Sequence, residues 1–148
     1  MNFFNDLIQN KVLFCALLGW FVAQVLKVVV CLVKEKKLKL WMLVSSGGMP
    51  SSHSATVCAL ATACAITEGA GSTAFAISTM FAFIVMYDAA GVRRAVGQQA
   101  KILNRIIDDL FAGKTGEINS DLKELIGHTK FQVVMGALLG ILIGIIFA

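Results

Sequence analysis

Apolar residues gather into four runs along the chain, at roughly 12–33, 52–68, 72–90 and 129–148, separated by polar stretches. A helix needs about 20 apolar residues to cross a hydrocarbon core of about 30 Å, and the second run is only marginally long enough. Backbone in lipid must satisfy its own hydrogen bonds, and these runs are long and do not alternate regularly, so helices are expected rather than a β-barrel. The pattern predicts an all-α, polytopic membrane helix bundle of about four transmembrane helices, forming a single membrane-embedded domain over residues 1–148. The segment "MNFFNDLIQN" has no basic start, and no A-x-A site follows the apolar run after Lys11, so a retained first span is expected rather than a cleaved signal.

Between the third and fourth runs, "VRRAVGQQAKILNRIIDDLF" sets Val92, Val96, Ile102, Leu103, Ile106, Ile107 and Leu110 at roughly helical spacing among polar residues. This predicts an amphipathic cytoplasmic-side helix, lying on the membrane or against the other loops, with Gly97 its weak point. After it, "AGKTGEINSD" reads as a turn, with Asn119 or Ser120 capping a short helix through "DLKELIG".

Composition agrees with a membrane protein. The chain is 57% hydrophobic, with mean hydropathy +0.79, too apolar for an ordinary soluble globule. Cys15, Cys31, Cys58 and Cys64 lie inside apolar runs without C-x-x-C spacing, so they read as small buried residues rather than metal ligands or disulfides. No metal and no cofactor are expected.

Charge adds a topology. With four spans, segments 34–51 and 91–128 share one side. Eleven of the 13 Lys and Arg belong to it: Lys34, Lys36, Lys37, Lys39, Arg93, Arg94, Lys101, Arg105, Lys114, Lys123 and Lys130. The positive-inside rule therefore places this face in the cytoplasm or its organellar equivalent. The net charge of +4 is accounted for by these membrane-flanking loops, and no nucleic-acid partner is expected. Both histidines, His53 and His128, fall at starts of spans on the same face.

Four constellations there carry chemistry. In "GGMPSSH", two glycines, a proline suited to a first helical turn, and hydroxyls form either a plain helix cap or an anion site at a helix start. In "LIGHTKFQVVMGALLG", His128 precedes the last apolar run; alone it reads as an interfacial residue, but with His53 it can divide the roles of nucleophile and general acid. In "YDAAGVRR", Arg93 and Arg94 match phosphate oxygens or lipid headgroups, and Asp88 is either a functional acid or their ion-pair partner. Lys27 and Lys34 stand seven residues apart near the end of the first span. Lys27 is either a snorkelling residue or, as an intramembrane charge, a functional one.

Together "GGMPSSHSATVCALATA", "VMYDAAGVRRAVGQQAKILN" and "LKELIGHTKFQVVMGALLG" resemble the small divergent branch of the type 2 phosphatidic acid phosphatase (PAP2) superfamily, which shares its site with vanadium-dependent haloperoxidases. The resemblance covers most of the chain from about residue 45. In the superfamily, K-x6-R-P binds phosphate, the His of P-S-G-H is the general acid, and the His of S-R-x5-H-x3-D is a nucleophile oriented by the Asp. Lys27 and Lys34 have the spacing of the first motif, with Lys for Arg and Glu35 for Pro. Pro50, Ser51 and His53 match the second, with Ser52 for Gly. His128 matches the third, but Leu122 stands where Arg is usual and Gln132 where Asp is. A neutral amide can hold a histidine tautomer but stabilises an imidazolium less than a carboxylate does.

The resemblance implies a membrane lipid phosphate phosphatase working through a phosphohistidine on His128, with His53 as acid. Asp88 is the candidate replacement for the missing acid and Gln132 the candidate orienting residue. Lys27, Lys34, Ser51, Ser52, Arg93 and Arg94 are candidate phosphate ligands. The implied substrate is a phosphomonoester or pyrophosphate of a lipid, of phosphatidic acid, phosphatidylglycerol phosphate or polyprenyl type, drawn from the bilayer. The alternative is a non-catalytic protein that binds anionic lipid or phosphate in a degenerate pocket; a transporter or channel subunit would not explain the gathered histidines and arginines. Gly136, Gly140 and Gly144 form a stripe of small residues suited to close helix contact, either in a homodimer or within the chain.

Overall fold

The computed structural model describes residues 2–36, 40–43, 47–111 and 128–148, and the described residues contain helices and no strand. The helices are α1 (Phe3–Ile8), α2 (Lys11–Glu35), α3 (Ser52–Thr67), α4 (Thr73–Ala90), α5 (Val92–Phe111) and α6 (Lys130–Phe147), with a single 3-10 turn at Leu40–Leu43. The four apolar runs thus fold as four helices within a few residues of the expected bounds. α2, α6 and the stretch that opens with α4 are long and apolar enough to cross a membrane, and α3 is a shorter apolar helix. The expected turn and short helix at 112–127 lie outside the described residues.

The starts of α2, α3, α4 and α6 are each fixed by a side chain. Asn10 accepts from the Leu13 N–H at 2.9 Å and so opens α2 separately from α1, a break not foreseen in the apolar pattern. Ser72 accepts from the Phe75 N–H at 3.1 Å to open α4. α2 ends with Lys36 in the left-handed region, φ 53°.

α3 is the central post, and it is built from small residues. Ala55, Ala59 and Ala63 are fully buried in it. Along α6, a Cβ on Gly136 would run into the carbonyl oxygen of Ser51, and one on Gly140 into that of Ala55. A Cβ on Gly144 would meet Thr62 Cβ at 2.6 Å. The partners advance in step, so α6 runs parallel to α3 with the two backbones nearly touching. The glycine stripe is therefore used within the chain.

α2 packs antiparallel on another side of α3, where a Cβ on Gly19 would approach the Ala55 carbonyl oxygen to 3.0 Å. Large apolar residues point outward instead: Ile77, Phe81, Phe83 and Ile84 on α4, and Leu138, Leu142 and Ile145 on α6, are all exposed. Small residues inside and large ones outside is the packing expected where lipid, not water, surrounds the helices. A 16-residue α3 spans only about 24 Å, less than the hydrocarbon core, which its central position tolerates.

The arrangement gathers the C-terminal ends of α2 and α4 and the N-terminal ends of α3 and α6 at one end. At the opposite end, Lys11 Nζ donates to the Ala148 carbonyl at 3.1 Å, and the rings of Phe14 and Phe147 meet edge to face at 6.4 Å.

Candidate functional site

The site begins with two helix starts side by side. Ser51 caps α3: its Oγ accepts from the Ser54 N–H at 3.4 Å and from the Ser54 hydroxyl at 3.1 Å. Its own N–H donates to the carbonyl of Gln132 in the first turn of α6, at 3.1 Å. Ser51, Ser52 and Ser54 are all buried. Pro50 precedes the cap, across a cis Met49–Pro50 peptide, instead of opening the first helical turn, because Ser51 occupies the capping position.

His53 follows one residue into α3, half-buried. His128 stands two residues before α6, only 2% exposed, and its N–H donates to the Ala89 carbonyl at 3.2 Å, which ties the start of α6 to the end of α4. The two imidazoles lie with centroids 6.0 Å apart and planes at 63°. Residues 75 apart in sequence are thus neighbours.

Lys27 completes the cluster. It is 1% exposed, and its Nζ donates to Ser52 Oγ at 3.1 Å. Its aliphatic stem lies beside Gly48, where a Cβ would be in ordinary contact with Lys27 Cγ at 3.5 Å. It is the left-handed φ of 92° that calls for glycine at this position. Lys27 does not snorkel to the surface; its charge is held inside the bundle at the foot of α3.

The other expected site residues fare differently. Lys34 shares Lys27's side of α2, but two turns carry it about 10 Å further along the axis, where it is exposed and outside the cluster. The N–H of Ser51 is spent on Gln132, so Ser51 serves the cap rather than an anion. The Gln132 side-chain oxygen accepts from the Thr129 N–H at 2.9 Å, and the Gln132 N–H donates to Thr129 Oγ1 at 3.3 Å. This capping box engages the amide in starting α6 instead of orienting His128. Asp88 is half-buried in the last turn of α4, next to the residue that receives the His128 N–H. Arg93 and Arg94 lie in the first turn of α5, after Val92, at the same end of the bundle, and their side chains lie outside the described residues.

Sequence reasoning missed Ser54 and the Ala89 carbonyl. The first is legible as the third residue of a capping pattern; the second is a backbone atom that no side-chain pattern marks. Among the described residues no group of three or more His, Cys, Asp or Glu is gathered that could hold a metal ion. What the cluster offers is one buried cation, hydroxyls, a helix N-terminus and two imidazoles, a set suited to an anion and to proton and phosphoryl transfer.

A helical membrane bundle with two histidines and a lysine gathered at one end of its spans is the class this fold and site define. The chain belongs to the family described as the Divergent PAP2 family, whose profile matches residues 8–143. It is also similar to an uncharacterized membrane protein of Bacillus subtilis (strain 168), YuiD, with 39% identity covering 97% of each chain. No solved structure matches it.

Proposed function

We propose that the protein is a membrane phosphatase acting on a phosphate or pyrophosphate carried by a lipid. The observation that carries this reading is the meeting of His53, His128 and the buried, Ser52-bonded Lys27 at one membrane end of the bundle. An imidazole nitrogen of His128 attacks phosphorus while the ester oxygen leaves, taking a proton from His53. Water then attacks the phosphohistidine, giving its proton back to His53 as the P–N bond breaks and inorganic phosphate departs. Lys27 and the first-turn N–H groups of α3 stabilise the equatorial oxygens, with Arg93 and Arg94 at the same end of the molecule.

In-line displacement needs about 3 Å from nucleophile to phosphorus, and about 3 Å from the acid to the leaving oxygen on the far side. Two rings with centroids 6.0 Å apart leave less than that between them. The phosphoryl group therefore enters by displacing one ring. His53 is half-buried on α3, the more accessible of the two rings, while His128 is enclosed and its backbone is anchored to Ala89.

A second reading is favoured by Gln132. With an amide standing where the superfamily has an acid, and that amide engaged in capping, the pocket would bind phosphate or anionic lipid without turnover. Phosphate release by the detergent-purified protein, from phosphatidic acid, phosphatidylglycerol phosphate and polyprenyl phosphates or pyrophosphates, separates the two. Turnover lost in His128→Ala is expected. Binding of vanadate or phosphate with no turnover across the whole panel establishes the second reading.

A further inference from the structure

Beside the polar cluster an apolar groove of about 380 Å³ runs between α2 and α6. Leu26 and Val30 supply one wall, a turn apart on α2; Met135, Leu138 and Leu142 supply the other, on successive turns of α6; Pro50 lines the end next to the α3 cap. We propose that this groove holds one hydrocarbon chain of the lipid phosphate whose headgroup the histidine and lysine cluster takes, an assignment that rests on the lipid-directed reading above.

Three continuities select this occupant. Leu26 immediately precedes Lys27, Pro50 immediately precedes the buried Ser51–Ser52 pair, and Met135 precedes Gly136, which lies against the Ser51 carbonyl. Apolar wall and polar site are therefore consecutive residues on three separate elements, so an amphiphile with its phosphate at Lys27 has its chain directed into the groove. From Met135 to Leu142 the α6 wall descends about 10 Å, roughly a third of the hydrocarbon core, enough for the first part of one chain. A wider depression between α4 and α6, of about 600 Å³, is lined by Phe83, Ile84, Met86, Tyr87, Val133 and Val134; it adjoins Asp88 and Gln132 in sequence but not Lys27 or the Ser51–Ser52 pair, and most of its lining is exposed on the lipid-facing surface.

Photolabelling tests the proposal in phosphatidylcholine vesicles containing the full chain. The probe is a phosphatidic acid with a diazirine at mid-chain, and the matched phosphate-free diacylglycerol is the control. Crosslinks are expected at residues 26–30 and 135–142, several-fold stronger for the phosphatidic acid. Excess unlabelled phosphatidic acid or polyprenyl phosphate should suppress them. Leu138→Trp, at a lipid-exposed position where the larger ring is accommodated, should remove most of the labelling. Leu142→Trp is a second variant should the first fold poorly. Equal labelling by the diacylglycerol, or labelling centred on the α4/α6 face, overturns the groove. Phosphate-dependent labelling in a protein that turns over none of the lipid panel keeps the groove and removes the phosphatase reading, so the two fail separately.

Discussion

At the residue scale, Lys27 decides most. It is buried at the foot of α3, where its Nζ donates to the Ser52 hydroxyl. A lysine beside a helix N-terminus and two imidazoles suits an anionic ligand. On the phosphatase reading, Lys27→Met should lower kcat/KM for lipid phosphate by about 10²-fold, the effect typical of removing one preorganised donor, with a much smaller change in the thermal unfolding temperature in detergent. A fall in unfolding temperature as large as the loss of activity would make Lys27 a structural residue. Lys27 was legible as an intramembrane charge, and its spacing to Lys34 was legible too. Only the fold shows that one of the pair is buried beside Gly48 and the other exposed, because helical phase places residues on a side but not against a neighbouring loop.

At the scale of the element, α6 is started by a capping box and held by a glycine stripe, and the two are separable. Gln132→Ala should cost about 1 kcal/mol by losing the reciprocal cap, seen as a lower unfolding temperature, whereas Gln132→Glu keeps the box and the stability. The sequence marked Gln132 as the replacement for an orienting acid. Its N3 position relative to Thr129 was equally visible in "TKFQ", and the local backbone bond is the one the structure shows. Gly140→Leu should prevent α3 and α6 from closing, giving aggregated protein on size exclusion. Gly71→Ala, where a Cβ meets nothing within 4 Å, should behave as wild type. The stripe itself was legible, but its partner was not, since small-residue spacing permits a contact within the chain as well as one between chains.

At the scale of the whole molecule, hydropathy alone recovered four helices, because the length of an apolar run is what the bilayer constrains. The marginal second run proves to be the central one, where neighbours rather than lipid cover a short helix. The positive charge placed the polar loops on one side, and the structure gathers the corresponding helix ends there. A membrane-impermeant thiol reagent tests the orientation the charge implies. Lys34→Cys should be modified only from the cytoplasmic side and Gly71→Cys only from the opposite one, and the four native cysteines are buried. Modification of both from the same side would refute the helix arrangement.

The central claim is that His128 carries the phosphoryl group, and rapid quenching tests it most directly. Purified protein is mixed with 32P-labelled lipid phosphate, stopped in base within milliseconds to seconds, and digested to locate the label. An acid-labile, base-stable phosphate on the peptide containing His128, absent in His128→Ala, is the result predicted. Turnover of the lipid with no such label, or with the label unchanged in His128→Ala, would contradict it.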